Sequence, residues 1–468
     1  MGQIISTFFA LAISCATGWF TLELAWPRVR RAPGDLALRL AASAGLGLFA
    51  SSMVYLLCLA LGVASRPWVI GIDIALLAGL AAWVYRARRE PGQDQSHGYE
   101  PFAVIDWILG GAVSLALAIN ASAWLQRFRD EPLGFWDAFA IWNVKARFFF
   151  FDAGEHWQRA FSNTIAWSHT DYPLLLPLNV ARLWTYGGTA DQGISALLSV
   201  VFSMLAIGLV FGAVAQAKGR PMAFLASLAL LASPQFMAQS TWQVSDIPTG
   251  AFLAGSFALI LAAARNTGDR NALLVLAGVA AGAAAWTKNE GVLFAVAMPV
   301  ALAVVGPVAS LRERLTEVFE FAKGLAPPLA LLLVIKLFVT GESDLAADLG
   351  FSSLSRVFEW SRHQMIIASF FKLTVMLAGL PLLGLLLGLS VYSRFASATA
   401  ESRWQAALAL ALTLQLAGYY FIYVITERDL AWHLGTSNLR LLIQLWPSTL
   451  LLLFTALNRF DPATPADR

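Results

Sequence analysis

Uncharged apolar runs, many near 20 residues long, recur along nearly the whole chain. A backbone in hydrocarbon must satisfy its own hydrogen bonds, and a run of about 20 apolar residues does this as a spanning helix. The runs are continuous rather than alternating, which argues against a β-barrel. Only 13% of the 468 residues are charged and 58% are hydrophobic, whereas soluble domains carry roughly 25% charged residues. The expected fold class is an all-α polytopic membrane protein.

Thirteen spans are expected, at about 4–26, 37–64, 67–85, 102–124, 191–216, 221–238, 247–264, 271–287, 291–308, 325–340, 367–391, 405–425 and 440–458. Arginine beside a span favours the cytoplasm, so the loop holding Arg86, Arg88 and Arg89 is read as cytoplasmic. Alternating from there puts Arg28, Arg30, Arg31, Lys218, Arg220, Arg265, Arg270, Arg312, Arg314, Lys323, Arg394, Arg403 and Arg459 on the same side. The N-terminus then lies outside and the C-terminus inside. The short spans 221–238 and 325–340 are the weak points, because losing either inverts all that follows. Cys15 and Cys58 lie inside spans and form no metal or disulfide pattern.

The same alternation carries five polar clusters to the outer face: residues 130–150, 168–177, 245–248, 287–291 and 426–440. Ionisable groups are costly near lipid and are seldom kept there without partners or a task. One extracytoplasmic site is therefore expected. Its carboxylates are Asp130, Glu131, Asp137, Asp152, Asp171, Asp246, Glu290, Glu427 and Asp429; its cations are Arg127, Arg129, Lys145, Arg147, Lys288, Arg428 and Arg440; His169 and His433 complete it.

The outer segment 125–190 is too long for a simple connection. Helical spacing puts Trp136, Phe139, Trp142, Phe149 and Phe150 largely on one face, as in an interfacial amphipathic helix. A shorter apolar helix starting at Pro173 follows. A second outer loop covers 341–366, and SLRERLTEVFEFAK reads as a cytoplasmic surface helix. Gly278 and Gly282 mark close helix packing.

A carboxylate held beside a hydroxyl or amine can act as a general base. Cations can hold a phosphate and stabilise it as a leaving group. A polar pocket beside lipid with both suits a lipid-linked phosphosugar.

At this point the motifs resemble the GT-C membrane glycosyltransferases, in particular the bacterial branch related to protein O-mannosyltransferases and to the aminoarabinose transferase of lipid A. In that family a span leads to an Asp-Glu pair, an amphipathic helix, a Gly turn and a Pro-Pro-Leu segment. FWDAFAIWNVKARFFFFDAGEHW followed by HTDYPLLLPLNVARLWTYGG has this layout. Asp137 takes the place of the family's catalytic Asp, Ala138 departs from its Glu, and Tyr172-Pro173-Leu174 stands for Pro-Pro-Leu. TKNEG and SNLRLLIQLWP resemble its Lys-containing and late Arg-then-Pro motifs. The resemblance covers roughly 125–450 and implies a GT-C-like catalytic core over 101–468, with extra N-terminal helices over 1–100.

The resemblance further implies an inverting glycosyltransferase with a polyprenyl-phosphate sugar donor and an envelope glycan, lipid or protein acceptor. Its setting would be a bacterial inner membrane, with no nucleic acid partner. Asp137 is the expected base and Asp130 the alternative. Glu131, Lys145, His169, Asp171, Tyr172, Asp246, Lys288, Glu290, His433 and Arg440 are the expected donor- or acceptor-binding residues. Simpler roles compete: helix capping for Asp246, mutual neutralisation for Lys288 and Glu290, snorkelling for Lys145, an interfacial aromatic belt for His433 with Trp432. No cofactor is expected; a divalent metal on His169, Asp171 and Asp137 is the alternative, although the set lacks specific metal-ligand spacing. A transporter or lipid flippase is the competing function; it calls for polar residues at span midpoints and broken helices in paired positions.

Overall fold

The computed structural model describes residues 2–27, 32–87, 101–306, 310–340, 355–392 and 400–457, with side chains from 380 to 402 left aside. Among these residues the fold is all-α, and ten helices are long and apolar enough to cross a membrane. Arg28, Arg30, Arg31, Arg88, Arg89, Arg394, Arg459 and loop residues 341–354 lie outside the described residues.

Three N-terminal helices, α1 (Gly2–Ala25), α2 (Asp35–Ala60) and α3 (Arg66–Ala87), precede α4 (Val104–Asp130). The segment between α4 and the next long helix holds a π-helical turn at Ala138–Trp142, α5 (Asn143–Phe151), two short 3₁₀ turns and α6 (Leu175–Gly187). Helices α7 (Gln192–Lys218), α8 (Arg220–Leu231), α9 (Pro234–Gln239), α10 (Asp246–Arg265), α11 (Arg270–Thr287), α12 (Asn289–Val305) and α13 (Leu311–Phe338) follow. The chain ends with α14 (Trp360–Tyr392), α15 (Ala400–Ile425) and α16 (Leu430–Ala456).

The doubtful span at 221–238 is two helices. Pro234 cannot continue the hydrogen-bond ladder of α8, and the Ser233 side chain caps the new helix by accepting from the Phe236 amide. Together α8 and α9 run parallel to α4. Arg220 meets Asp106 near the start of α4 at 3.5 Å, and Ser240 accepts from Trp124 near its end at 2.6 Å. Eighteen helical residues separate Asp106 from Trp124, about 27 Å at 1.5 Å per residue. The pair therefore matches most of the length of α4.

The doubtful span at 325–340 corrects the sequence reading differently. The segment read as a separate surface helix is continuous with it, and both form α13. Arg270 of α11 meets Glu317 near one end of α13, and Asp171 meets Lys336 near the other. Helices α11 and α13 lie almost backbone to backbone. A Cβ on Gly278 would fall 2.0 Å from the Phe321 carbonyl oxygen, so the expected close packing is present.

Helix α10 is the axis of the bundle: almost all of its residues are buried, whereas α4 is largely exposed. The N-terminal helices pack closely against α6 and α7. Arg182 of α6, fully buried, pairs with Asp73 of α3 at 2.8 Å and donates to Ser14 of α1 at 3.1 Å. Tyr55 of α2 bonds Thr185 of α6 and donates to the Phe149 carbonyl. These helices thus clamp α6 and hold α5 beside it.

Candidate active site

Helix directions explain how distant clusters meet. The N-terminal ends of α10 and α12, the C-terminal ends of α11, α13 and α15, and the first half of α16 share one end of the bundle. Asp246 opens α10 and sits at their centre, fully buried. Its Oδ1 accepts from Lys288 Nζ at 2.8 Å and from Gln444 Nε2 at 2.7 Å; its Oδ2 accepts from Arg440 Nε at 2.9 Å. Ser245, not Asp246, occupies the N-cap position. A capping role for Asp246 is thereby replaced by a cation-binding one.

Arg440 reaches outward as well. Its other arm pairs with Asp137 Oδ2 at 2.5 Å, while Lys288 pairs with Glu290 at 2.8 Å. Asp137, Asp246, Lys288, Glu290 and Arg440 therefore form one connected charge cluster. The sequence reading put Arg440 at the outer start of the last span. Helix α16 instead begins at Leu430, and Arg440 lies about three turns into it. That depth lets it meet α10.

Asp137 is held by the pairing of two irregular segments. The Phe135 amide donates to the Trp242 carbonyl, Gln243 donates to the Pro132 carbonyl, and the Phe135 and Trp242 rings stack at 4.3 Å. Gln243 lies three residues before Asp246 and has φ 58, a left-handed conformation uncommon for residues other than glycine. Immediately after Asp137 comes the π turn, closed by the Asn143 amide on the Ala138 carbonyl. Such turns insert an extra residue into a helix. This rotates the later residues and overturns the single aromatic face expected here. Trp136 and Phe139 are 50% and 42% exposed, while Trp142 and Phe149 are 0% exposed.

The 168–172 loop forms the neighbouring wall. Asp171 accepts from Asn289 at 3.0 Å and pairs with Lys336 at 3.6 Å. Tyr172 packs between Trp142 and His169, whose ring stacks on it at 4.7 Å. Burial pushes the Tyr172 phenol above its ordinary pKa, so it stays protonated. Burial would lower the pKa of Lys288, but Asp246 and Glu290 outweigh it and hold the ammonium above the ordinary lysine value. Helix α6 starts at Leu175, two residues after Pro173, and is almost wholly buried rather than interfacial.

Other expected residues stand elsewhere. Lys145 is fully buried and donates to the carbonyls of Ser168 and His169, so it shapes the loop from behind; an enclosed ammonium of this kind does not snorkel. Asp130 is exposed at the end of α4. Glu131 is exposed and pairs with Arg127 at 3.4 Å, one helical turn back. His433 bonds Thr426 at 3.0 Å and packs on Tyr423, one layer outside the charge cluster. His169, Asp171 and Asp137 have separate partners, and no group of three or more His, Cys, Asp or Glu side chains among the described residues could hold a metal ion.

Sequence reasoning missed the polar ring behind the cluster. Gln415 of α15 donates to the Glu290 carbonyl and to Tyr419, which donates to Gln444. A signal existed: Gln444 follows Arg440, and Tyr419 follows Gln415, by four residues, the spacing of one helix face.

Residues 186–335 match the family of dolichyl-phosphate-mannose-protein mannosyltransferases. The matched stretch is about a third of the chain. It spans α7 to most of α13, hence Asp246, Lys288 and Glu290 of the charge cluster. The crystal structure of ArnT from Cupriavidus metallidurans in the apo state is similar over 75% of this chain and 60% of that one, with 16% identity and a TM-score of 0.49. The chain thus spans less than two thirds of that protein's length. No curated protein matches the sequence.

Proposed function

We propose that this protein is an inverting glycosyltransferase that moves a sugar from a polyprenyl-phosphate donor to an envelope glycan, lipid or protein on the extracytoplasmic face of a bacterial inner membrane. The observation that carries the reading is the shared anchoring of two cations and an open carboxylate: Lys288 and Arg440 both pair with buried Asp246, and Arg440 also pairs with Asp137. Asp246 is enclosed and fully engaged, so it positions the cations. Asp137 remains partly open beside exposed Trp136 and Phe139.

In the proposed reaction Asp137 takes the proton of the acceptor hydroxyl or amine. The acceptor's electron pair attacks the anomeric carbon from the face opposite the leaving group. The bond from that carbon to the phosphate oxygen breaks, and its electron pair leaves with the lipid phosphate. Arg440 and Lys288 stabilise this charge where it develops. Every bond made or broken belongs to donor, acceptor or Asp137.

The test uses purified protein in detergent, a mixed pool of polyprenyl-phosphate sugars and a crude envelope extract as acceptor. Release of free polyprenyl phosphate with depletion of one donor is expected. A folded protein that releases none, with a competent acceptor pool verified independently, overturns the reading in favour of transport.

A further inference from the structure

Each cation of the cluster has one enclosed partner and one more open partner. Arg440 holds buried Asp246 through Nε and Asp137 through the next nitrogen; Lys288 holds Asp246 and Glu290. The exposures separate anchor from exchangeable partner: Asp246 is 0% exposed, Asp137 13% and Glu290 22%. With both oxygens of Asp246 engaged, an anion arriving from the open side meets the arm of Arg440 that Asp137 occupies.

We propose that Asp137 and the donor's phosphate compete for that arm, so that seating the donor releases the base. The inference rests on the donor class proposed above. Before the donor binds, Asp137 is pinned as a counter-ion. When a prenyl phosphate takes the guanidinium edge, Asp137 keeps its place through the Phe135–Trp242 strap, loses its cation and is freed to accept a proton. Arg440 stays aimed throughout because Asp246 retains its Nε. The arrangement orders the reaction, with the donor before proton abstraction. It also makes the carboxylate needed for chemistry an obstacle to donor binding.

This is tested by equilibrium binding of farnesyl phosphate to the full-length protein in detergent, at fixed low ionic strength. Asp137→Asn removes the competitor and is expected to bind on the order of tenfold more tightly than wild type, the scale of about one partly enclosed charge pair. Asp137→Ala should follow it, which keeps the test open if one variant fails to fold. Glu155→Gln removes an exposed carboxylate of the same segment between α4 and α7 and should bind as wild type does. Equal tightening by Glu155→Gln would reduce the effect to general electrostatics and overturn the proposal. So would equal or weaker binding by both Asp137 variants, even if they have lost sugar transfer, and the glycosyltransferase reading would then stand without it. A wild type with no affinity for the prenyl phosphate overturns the donor assignment itself.

Discussion

Arg440 Nε lies 2.9 Å from Asp246 Oδ2, and this contact fixes where the rest of the guanidinium points. The partners come from two packed helices and are 194 residues apart in sequence. A carboxylate at the first residue of α10 thereby aims a cation from the third turn of α16 toward Asp137.

Asp246 is expected to be required for stability as well as activity. Replacing it with Ala leaves two cations enclosed with their shared anion gone, and breaking a buried pair costs about 3–5 kcal/mol. Thermal unfolding in detergent should show a clear loss for Asp246→Ala and a smaller one for Asp137→Asn, whose pair is more open. Equal losses would contradict the anchor role.

The Lys288 ammonium is held above its ordinary pKa of 10.5 by Asp246 and Glu290 despite burial. Its ion-pair contribution is therefore fully present below that ordinary value and is lost as pH rises through the raised one. The stability difference between wild type and Lys288→Met should be flat from about pH 7 to 10 and shrink only at higher pH. A difference that shrinks near pH 8 would mean a depressed ammonium and contradict the pairing.

The Asp73–Arg182 pair is enclosed between α3 and α6, so Arg182→Met should destabilise by about 3–5 kcal/mol by leaving a buried carboxylate unpaired. The double variant with Asp73→Leu should recover much of the loss. Denaturation of the two variants side by side distinguishes this docking role from a catalytic one, which the double variant would not rescue.

Gly278→Leu should separate α11 from α13, because even a Cβ meets the Phe321 carbonyl at 2.0 Å. Overpacking costs about 1–3 kcal/mol, and here the backbone itself must move. The check is a lowered unfolding temperature together with weakened transfer, since α11 ends beside Lys288. An unchanged melting curve would contradict the close packing.

The membrane helices were legible because each is a run of apolar residues, and apolar length is a local property. That the polar ends of α10 to α13 share one end of the bundle was legible too, since parity follows from counting helices. Depth was not: Arg440 reads as a span boundary because Trp432, His433 and Asn438 make the start of α16 look like a loop, although those residues lie within the helix. The face of residues 136–150 was misread because a π turn adds a residue that no periodicity announces. The partners of Lys145 are backbone carbonyls, which have no sequence signature. Arg182 and Asp73 were overlooked because apolar neighbours hid them, and only the fold brings the two together.

The most direct measurement is single-turnover sugar transfer by wild type and Asp137→Asn, with donor saturating and its binding verified for both. Removing the base while keeping volume is expected to slow transfer by about 10²–10⁴-fold, the usual contribution of a positioned general base. Transfer by Asp137→Asn at the wild-type rate, with donor bound, would contradict the central claim that this carboxylate activates the acceptor.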